Sequence, residues 1–299
     1  MRFFVLLAAI SFFIAQPIFA YDNLTEYISK RFNLPIHYVQ NALAKAKIDF
    51  AVLEKIKNPA EEKDWEDYKK IFLNPQKVKN GQHFYKKYKK LLLKAEKKYR
   101  VPSEIIAAII GIESDFGKYK PKYNALDSLY TLAEKFDRRS EYFTNELGSL
   151  LDYTYKHKIK PSEVLSSYAG AVGIPQFMPS NIFKFAVDFN KDKKIDLVNS
   201  MSDAIGSVAN FLSKNGWDYG KPTAVVVKNV NSSITTYTKV SFLRKRGVIF
   251  PFNIKRGEAK INKIGQDYWA TFKNFDVLRK YNPSDNYALS VLLLSKMIK

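Results

Sequence analysis

The spacing of apolar and polar positions predicts a mostly helical chain. Behind Pro35, a common first residue of a helix, apolar side chains recur every three or four residues, at Ile36, Val39, Leu43 and Ala46. Residues 83–100 repeat the pattern, with an apolar stripe of Phe84, Tyr88, Leu91, Ala95 and Tyr99. Seven lysines occupy the rest of that stretch. We expect the stripe to face a core, although a basic amphipathic helix can also lie on a membrane.

Glycine and proline divide the middle of the chain into further helices. Residues 101–117 begin behind Pro102 and stop at Gly117, and residues 203–217 end at Asn215 and Gly216. After residue 221 the sequence changes to two β-branched runs around the turn residues 231–233, with a short return near residues 260–264. The final residues are apolar with helical spacing, so we expect a small β-rich interruption in a helical protein.

Residues 1–20 have the features of a secretory signal peptide. A basic Arg2 precedes an apolar run from Phe3 to Ile14, and a short segment ends at Ala20. We expect cleavage there, a mature chain that starts at Tyr21, and a periplasmic location. An uncleaved N-terminal anchor is the alternative, and no other segment is long and apolar enough to cross a bilayer.

Composition and charge narrow the class of protein. The 299 residues are 46% hydrophobic, which is typical of a folded chain. The chain has no cysteine, which excludes disulfides, thiol catalysis, Cys-based zinc sites and a lipid-modified N-terminal Cys, so we expect a soluble exported protein and not a lipoprotein. Without residues 1–20, 48 Lys and Arg face 29 Asp and Glu, a net charge of +19. A polyanionic partner is implied, and export argues against nucleic acid; the alternative is that the lysines serve only solubility.

Glu113 is the main catalytic candidate. It shares one side of the predicted helix with Ile106 and Ile110. Burial beside isoleucines and a nearby helix C-terminus both favour the protonated carboxyl, which is the form of a general acid. A solvated glutamate at a polar break is the alternative. Asp115 points away from Glu113 in a helix, so the two do not form the close carboxylate pair of an ordinary glycosidase.

Residues 166–180 are the candidate for a groove. Gly170 and Gly173 allow the backbone to approach a ligand closely, and the segment contains the candidate binding residues Gln176, Phe177 and Met178. The segment lacks the Gly-Lys-Ser ending of a phosphate-binding loop. A tight connection between helices is the alternative.

Residues 188–199 have the spacing of an EF-hand loop. The candidate calcium ligands are Asp188, Asn190, Asp192, the carbonyl of Lys194, and Asp196. Lys193 and Asn199 stand where an EF-hand has glycine and a bidentate glutamate, and three lysines reduce the attraction for a cation. A structural Ca²⁺ and an ion-free loop of the same shape are both open.

Several segments, taken in order, resemble the motifs of the lytic murein transglycosylase B family. They are VLEKIKNPAEEKDWEDYKKIF, GIESDFG, FDRRSEYF, SYAGAVGIPQFMPS, DFNKDKKIDL, SDAIGSVANFLSKNGW and LRKYNPSDNYALSV. The resemblance runs from about residue 51 to residue 291. It implies a mainly α (α+β) protein with a lysozyme-like helical core. The expected domains are an N-terminal α subdomain (21–100), the core (101–221), a small β subdomain (222–265) and a return to the core (266–299).

The resemblance also implies a reaction. Members of the family cleave the β-1,4 bond between N-acetylmuramic acid and N-acetylglucosamine in peptidoglycan without water, and leave a 1,6-anhydro ring. Glu113 matches the single catalytic acid/base, and no cofactor is required for the chemistry. The matching substrate-binding positions are Tyr68, Arg138, Arg139, Ser167, Gln176, Phe177, Met178, Tyr281, Asn282 and Tyr287.

Several alternatives remain open within this resemblance. Arg138 or Arg139 could instead hold the core together through a buried carboxylate. The chain could be a non-catalytic peptidoglycan-binding or scaffolding protein of the same fold, or a basic binder of membranes or nucleic acid. The expected partners are peptidoglycan glycan strands and other cell-wall enzymes.

Overall fold

A computed structural model describes residues 24–57, 63–251 and 253–299. The predicted signal peptide, residues 1–20, lies outside the described residues. The described chain forms two compact units, and each unit combines two separated stretches. The first comprises residues 24–57 and 113–207, and the second comprises residues 63–112 and 208–299 without residue 252. Because neither unit is a continuous stretch, the predicted consecutive subdomains stay a prediction.

The described residues are mainly helical with a few short strands, as predicted. The helices are α1 (Leu24–Phe32), α2 (Ile36–Leu43), α3 (Phe50–Ile56), α4 (Trp65–Phe72), α5 (Pro75–Tyr99), α6 (Ser103–Ser114), α7 (Ala125–Lys135), α8 (Ser140–His157), α9 (Pro179–Phe185), α10 (Met201–Lys214), α11 (Val240–Lys245), α12 (Lys273–Tyr281) and α13 (Asp285–Ile298). The strands are β1 (Tyr123–Asn124), β2 (Leu165–Ser166), β3 (Ala224–Val227), β4 (Ile234–Lys239), β5 (Glu258–Ile264) and β6 (Asp267–Thr271). In the part of the chain that the structure describes, no helix is long and apolar enough to span a membrane.

The first unit is built around helices α7 and α8. These two helices pack on each other, α1 and α9 pack on α8, and α3 packs on α7. Asn124 starts α7 because its side-chain oxygen accepts hydrogen bonds from the backbone N–H groups of Leu126 and Asp127, at 2.9 and 3.2 Å. The short strands β1 and β2 pair just before α7 and after α8. The pairing of β2 with β1 therefore sets the position at which residues 166–180 begin.

The second unit contains a four-stranded antiparallel sheet in the order β3-β6-β5-β4. The two β-branched runs around residues 231–233 form β3 and β4, but they are not neighbours, because β5 and β6 lie between them. Helix α11 covers the sheet with buried Val240 and Leu243, beside Ile261 and Ala270 of the strands. The β region therefore has an apolar core of its own.

Helix α5 shows one error of the sequence pattern. Tyr85 and Leu92 are buried, whereas Tyr88 and Leu91 of the predicted stripe are only half-buried. Phe84 and Ala95 of the predicted stripe are buried, so the buried side is shifted from the predicted one by only roughly 30°. The helix also begins earlier than expected, at Pro75 behind Asn74, whose side chain caps Lys77 N–H at 2.9 Å.

Candidate active site

Glu113 lies in the last turn of helix α6. Its neighbours Ile109, Ile110 and Ile112 are almost fully buried, and Glu113 itself is only 6% exposed. A solvated glutamate at this position is therefore excluded. The helix starts directly behind Pro102, as the sequence predicts, but ends at Ser114, three residues before the glycine.

The chain leaves α6 through three consecutive residues in the left-handed region. The φ angles are 49° at Asp115, 61° at Phe116 and 81° at Gly117. Ser114 closes this turn, since its hydroxyl accepts the Gly117 N–H at 3.1 Å and its carbonyl accepts the Tyr119 N–H at 2.8 Å. Asp115 therefore belongs to the turn and not to the helix, and Glu113 is the last carboxyl on α6.

Residues 166–180 fold into a tight, buried loop. Val172 and Phe177 exchange backbone hydrogen bonds of 2.8 and 3.1 Å. Ser167 is fully buried, and its hydroxyl accepts the Ala171 N–H at 3.1 Å. Phe177 and Met178 are 1% and 3% exposed. The loop is thus held rigidly by its own backbone, as a preorganised site requires.

This loop adjoins both the turn after Glu113 and the acidic loop. A Cβ atom built on Gly117 would lie 3.9 Å from the Ile174 side chain, which is ordinary contact distance. On the other side, the Ile174 N–H donates to the Leu197 carbonyl at 2.7 Å. The structure therefore brings three of the singled-out sequence motifs together in one compact unit.

Gln176 is the most informative side chain of the loop. It is 3% exposed and has a left-handed φ of 50°. Its Nε2 donates to the Gly173 carbonyl at 2.7 Å, while its Oε1 is buried without a hydrogen-bond partner among the described residues. A buried acceptor without a donor costs free energy, so this oxygen is suited to accept a hydrogen bond from a ligand.

A buried network on helices α8 and α9 was missed at the sequence level. Glu146 is 4% exposed, and its carboxylate accepts the Ser180 N–H at 2.9 Å and the Ser180 hydroxyl at 2.8 Å. Tyr142 donates a further hydrogen bond to Glu146. The Arg139 guanidinium lies 4.3 Å from the centre of the Tyr142 ring. Glu146 thus fixes the start of α9, directly after Gln176, Phe177 and Met178.

The two predicted arginines have different environments. Arg138 is exposed, whereas Arg139 is half-buried beside Tyr142 and interacts electrostatically with Glu146. The alternative of an arginine that supports the core near a buried carboxylate therefore fits Arg139 and not Arg138. The missed carboxylate could have been found in the sequence, because Glu146 follows Phe143 and precedes Leu147 and Leu150 on the apolar side of α8, as Glu113 follows isoleucines.

Burial raises the pKa of the Glu146 carboxyl above its ordinary value of 4.5, and the hydrogen bonds from Ser180 oppose part of that rise. The folded protein therefore keeps a proton that the unfolded chain releases above pH 4.5. We expect the free energy of unfolding to fall as pH rises from there toward the raised pKa, and this fall to be absent in Glu146→Gln. Urea unfolding across this pH range measures the difference.

Glu141→Gln is the matched control, because Glu141 lies exposed on the same helix. It should leave the pH dependence of the wild type unchanged. If the Glu146 and Glu141 variants gave the same curves, the buried carboxyl would not hold the proton.

The remaining predicted residues belong to the second unit. Tyr68, Tyr281, Asn282 and Tyr287 are all between 0% and 4% exposed. Tyr281 stacks on Tyr287 with ring centres 6.3 Å apart, and the Phe211 ring meets Tyr281 edge-on at 4.7 Å. These aromatic residues are packed against one another, and their role toward a substrate stays a prediction.

The carboxylates of the acidic loop accept hydrogen bonds from the backbone of the loop. Asp188 accepts the backbone N–H groups of Lys191, Asp192 and Lys193, and Asp196 accepts those of Val198 and Asn199. The fully buried Asp203 closes the loop by accepting Phe189 and Asp196 N–H groups at 2.8 and 3.0 Å. In the described ranges, no three His, Cys, Asp or Glu side chains are placed to hold a metal ion. Asp188, Asn190, Asp192, Lys194 and Asp196 therefore stay predicted calcium ligands, and the lysines of the loop oppose the binding of a cation.

Because three lysines inside the loop oppose a cation, we expect a chelator or added calcium to leave the thermal midpoint of unfolding unchanged. Calcium that bound the folded protein would raise this midpoint. Differential scanning calorimetry with EDTA and with CaCl₂ measures this. The double variant Lys193→Gly and Asn199→Glu supplies the two residues that an EF-hand loop has at these positions. It is the positive control and should gain a calcium-dependent rise. A rise of the same size in the unaltered protein would contradict the expectation.

Several known proteins are similar to this chain in sequence and in fold. A model of the transglycosylase SLT domain matches residues 22–296. The chain is 35% identical over 243 residues to membrane-bound lytic murein transglycosylase B of Escherichia coli, which covers 78% of this chain and 67% of that protein. Soluble lytic transglycosylase SltB1 of Pseudomonas aeruginosa superposes with a TM-score of 0.83 at 31% identity, over 92% and 96% of the two chains. SltB3 of the same organism, in complex with NAG-NAM-pentapeptide, gives a TM-score of 0.81 at 27% identity, over 92% and 78%.

Proposed function

Since the chain belongs to the transglycosylase SLT domain family, we propose that Glu113 is the single general acid and base of its reaction. The protein is a peptidoglycan lytic transglycosylase with a lysozyme-like fold, mainly α with a small antiparallel sheet. The burial of one carboxyl at the end of α6 is the observation that carries the proposed role.

The proposed mechanism assigns two proton transfers to Glu113. The protonated carboxyl first donates to the glycosidic oxygen between N-acetylmuramic acid and N-acetylglucosamine, while the bond from that oxygen to C1 breaks. The carboxylate then accepts the proton of the muramic acid C6 hydroxyl as O6 bonds to C1. The products are a 1,6-anhydro end and a free N-acetylglucosamine hydroxyl, and the proton returns to Glu113. No water is consumed.

The surroundings of Glu113 support this assignment. A carboxyl that is 6% exposed has little water to stabilise its charge, which favours the acid form that the first step needs. Asp115, the next carboxyl along the chain, lies in the left-handed turn and not on the helix. With Glu113 as the one buried carboxyl on α6, the substrate's own hydroxyl is the suitable nucleophile, where an ordinary glycosidase uses a second carboxylate.

We propose that the loop 166–180 and Arg138 bind the glycan. The partnerless Oε1 of Gln176 can accept from an N-acetyl N–H or a sugar hydroxyl. The exposed Arg138 can pair with a lactyl or stem-peptide carboxylate. One relative has been crystallised with NAG-NAM-pentapeptide, and we extend that ligand class, a glycan with a peptide stem, to this chain.

Digestion of purified sacculi in water labelled with heavy oxygen tests the reaction. Mass spectrometry of the muropeptides should show anhydro ends without label, since no water enters the product. A hydrolytic muramidase serves as the control and should give labelled reducing ends. Labelled reducing ends from this protein would overturn the non-hydrolytic mechanism, and binding without any product would favour the scaffolding alternative.

We propose that the enzyme acts in the periplasm after cleavage before Tyr21, together with other cell-wall enzymes. The support is the arrangement of Arg2, the apolar run of residues 3–14 and Ala20, and a sequence without cysteine for lipid attachment. N-terminal sequencing of the protein recovered from the periplasm tests this, and an intact Met1 on that protein would contradict it.

A further inference from the structure

Helix α5 carries an unusual concentration of positive charge. Its 25 residues include nine lysines and one carboxylate, that of Glu96. Glu96 is already engaged, because it accepts the Ser103 N–H at 3.0 Å and the Tyr219 hydroxyl at 2.9 Å. The helix is about 37 Å long at 1.5 Å per residue. Its own carboxylate balances little of the positive charge of its lysines.

The lysines are exposed on the side opposite the apolar one. Phe84, Tyr85, Leu92 and Ala95 are buried, and α13 packs on α5. Every lysine of the helix except Lys77 is exposed. At about 100° per residue, Lys79, Lys86, Lys90 and Lys97 fall within roughly 40° of one another. We call these four residues the lysine row.

The lysine row forms no salt bridges within the described part of the protein. Among the described residues, no Asp or Glu side chain forms a salt bridge with Lys79, Lys86, Lys90 or Lys97. By contrast, Lys69 and Lys70 of the preceding helix α4 pair with Glu66 and Asp67 at 2.6 and 2.8 Å. Leu93, between Lys90 and Lys97, is 44% exposed. An apolar side chain is thus presented to solvent within the basic row.

We propose that the lysine row binds the surface of an anionic phospholipid bilayer and holds the enzyme there by charge. Clusters of four to eight basic residues bind acidic lipids, with about 1 kcal/mol for each residue near the surface. Because the apolar side of α5 is used inside the protein, the helix binds peripherally and does not insert. Leu93 is placed to enter the headgroup region while the surrounding lysines contact phosphates.

The same surface does not suit a glycan strand. Sugar recognition uses open aromatic faces and amide groups. Within α5, which the structure describes completely, no Phe, Tyr or Trp is exposed. Its half-buried Tyr88 and Tyr99 lie under lysines, with Lys87 and Lys98 ammonium groups 5.1 and 4.8 Å from the ring centres. Diffuse positive charge with one leucine fits a lipid surface better than a carbohydrate.

Vesicle co-sedimentation of the full chain tests the proposal. Vesicles of phosphatidylglycerol and phosphatidylcholine are compared with vesicles of phosphatidylcholine alone, because the apolar run of residues 3–14 contributes to both. Binding should be tighter to the anionic vesicles and should weaken as salt is added, as screening requires. The triple variant Lys86→Gln, Lys90→Gln and Lys97→Gln should bind the anionic vesicles roughly 100-fold more weakly, at about fivefold per lysine.

The matched control removes the same charge elsewhere. Lys228, Lys239 and Lys245 are exposed and lie in the β region, and their triple glutamine variant should keep anionic-vesicle binding within a few-fold of wild type. Equal loss in both triple variants, or equal binding to neutral vesicles, would overturn the proposal. So would loss of binding to purified sacculi, and not to vesicles, in the α5 variant. Glu113→Gln should bind vesicles normally, so this test is independent of the proposed catalytic role.

Discussion

Replacing Glu113 by glutamine is expected to remove the release of anhydromuramyl ends, lowering the rate about 100- to 10,000-fold. Glutamine has nearly the same size and can keep a hydrogen bond, but it cannot donate a proton to the glycosidic oxygen or accept one from the C6 hydroxyl. Both steps are assigned to this one side chain, so the loss should appear in kcat with little change in KM. Muropeptide analysis by mass spectrometry over a time course gives both parameters.

Asp115→Asn is the matched control for this change. The substitution removes a carboxylate two residues away, and asparagine tolerates the left-handed φ of 49° found there. Most of the activity should remain, and circular dichroism should show both variants folded. Anhydro ends released by Glu113→Gln at the parental rate would show that another group transfers the proton.

Replacing Gly173 by alanine is expected to give a large loss of stability, about 4 kcal/mol. Gly173 has a φ of +74°, and an added Cβ would lie 2.5 Å from the Leu197 backbone oxygen. That oxygen cannot move away easily, because it accepts the Ile174 N–H at 2.7 Å. The collision is therefore with a backbone that the loop itself holds, and thermal or urea unfolding measures the cost.

Gly220→Ala separates the collision from the backbone strain. Gly220 has a similar φ of +80°, but nothing lies within 4 Å of a Cβ built there. It should cost only about 1–2 kcal/mol, the ordinary penalty of a left-handed alanine. Gly173→Ala should also lose activity because Gln176 donates to the Gly173 carbonyl. Equal destabilisation by the two variants would contradict the prediction, because it would mean that the collision with the Leu197 carbonyl adds nothing to the free energy of unfolding that is lost.

The sequence was sufficient to predict features that depend on local chemistry. Pro102 marked the start of α6, Pro35 that of α2, and the isoleucines around Glu113 indicated its burial, since each rests on residues within one or two turns. Glu146 carries the same kind of local signal, because it lies on the apolar side of α8 with Phe143 and Leu147.

Features that depend on distant partners could not be predicted. The buried side of α5 was predicted roughly 30° out of place, because Tyr88 and Leu91 are as apolar as Tyr85 and Leu92, and only the packing against α13 decides between them. The neighbours of each strand were likewise undetermined. β3 pairs with β6, more than forty residues away, while the nearer β4 pairs with β5.

The division of each unit into two separated stretches sets an order of assembly. Helix α5 packs on α13, and α13 is the last helix of the chain. During synthesis, Phe84 and Leu92 therefore emerge long before the residues that cover them. We expect this segment to need a chaperone until α13 is made, and a chain that stops before residue 285 to be degraded because its apolar residues stay exposed.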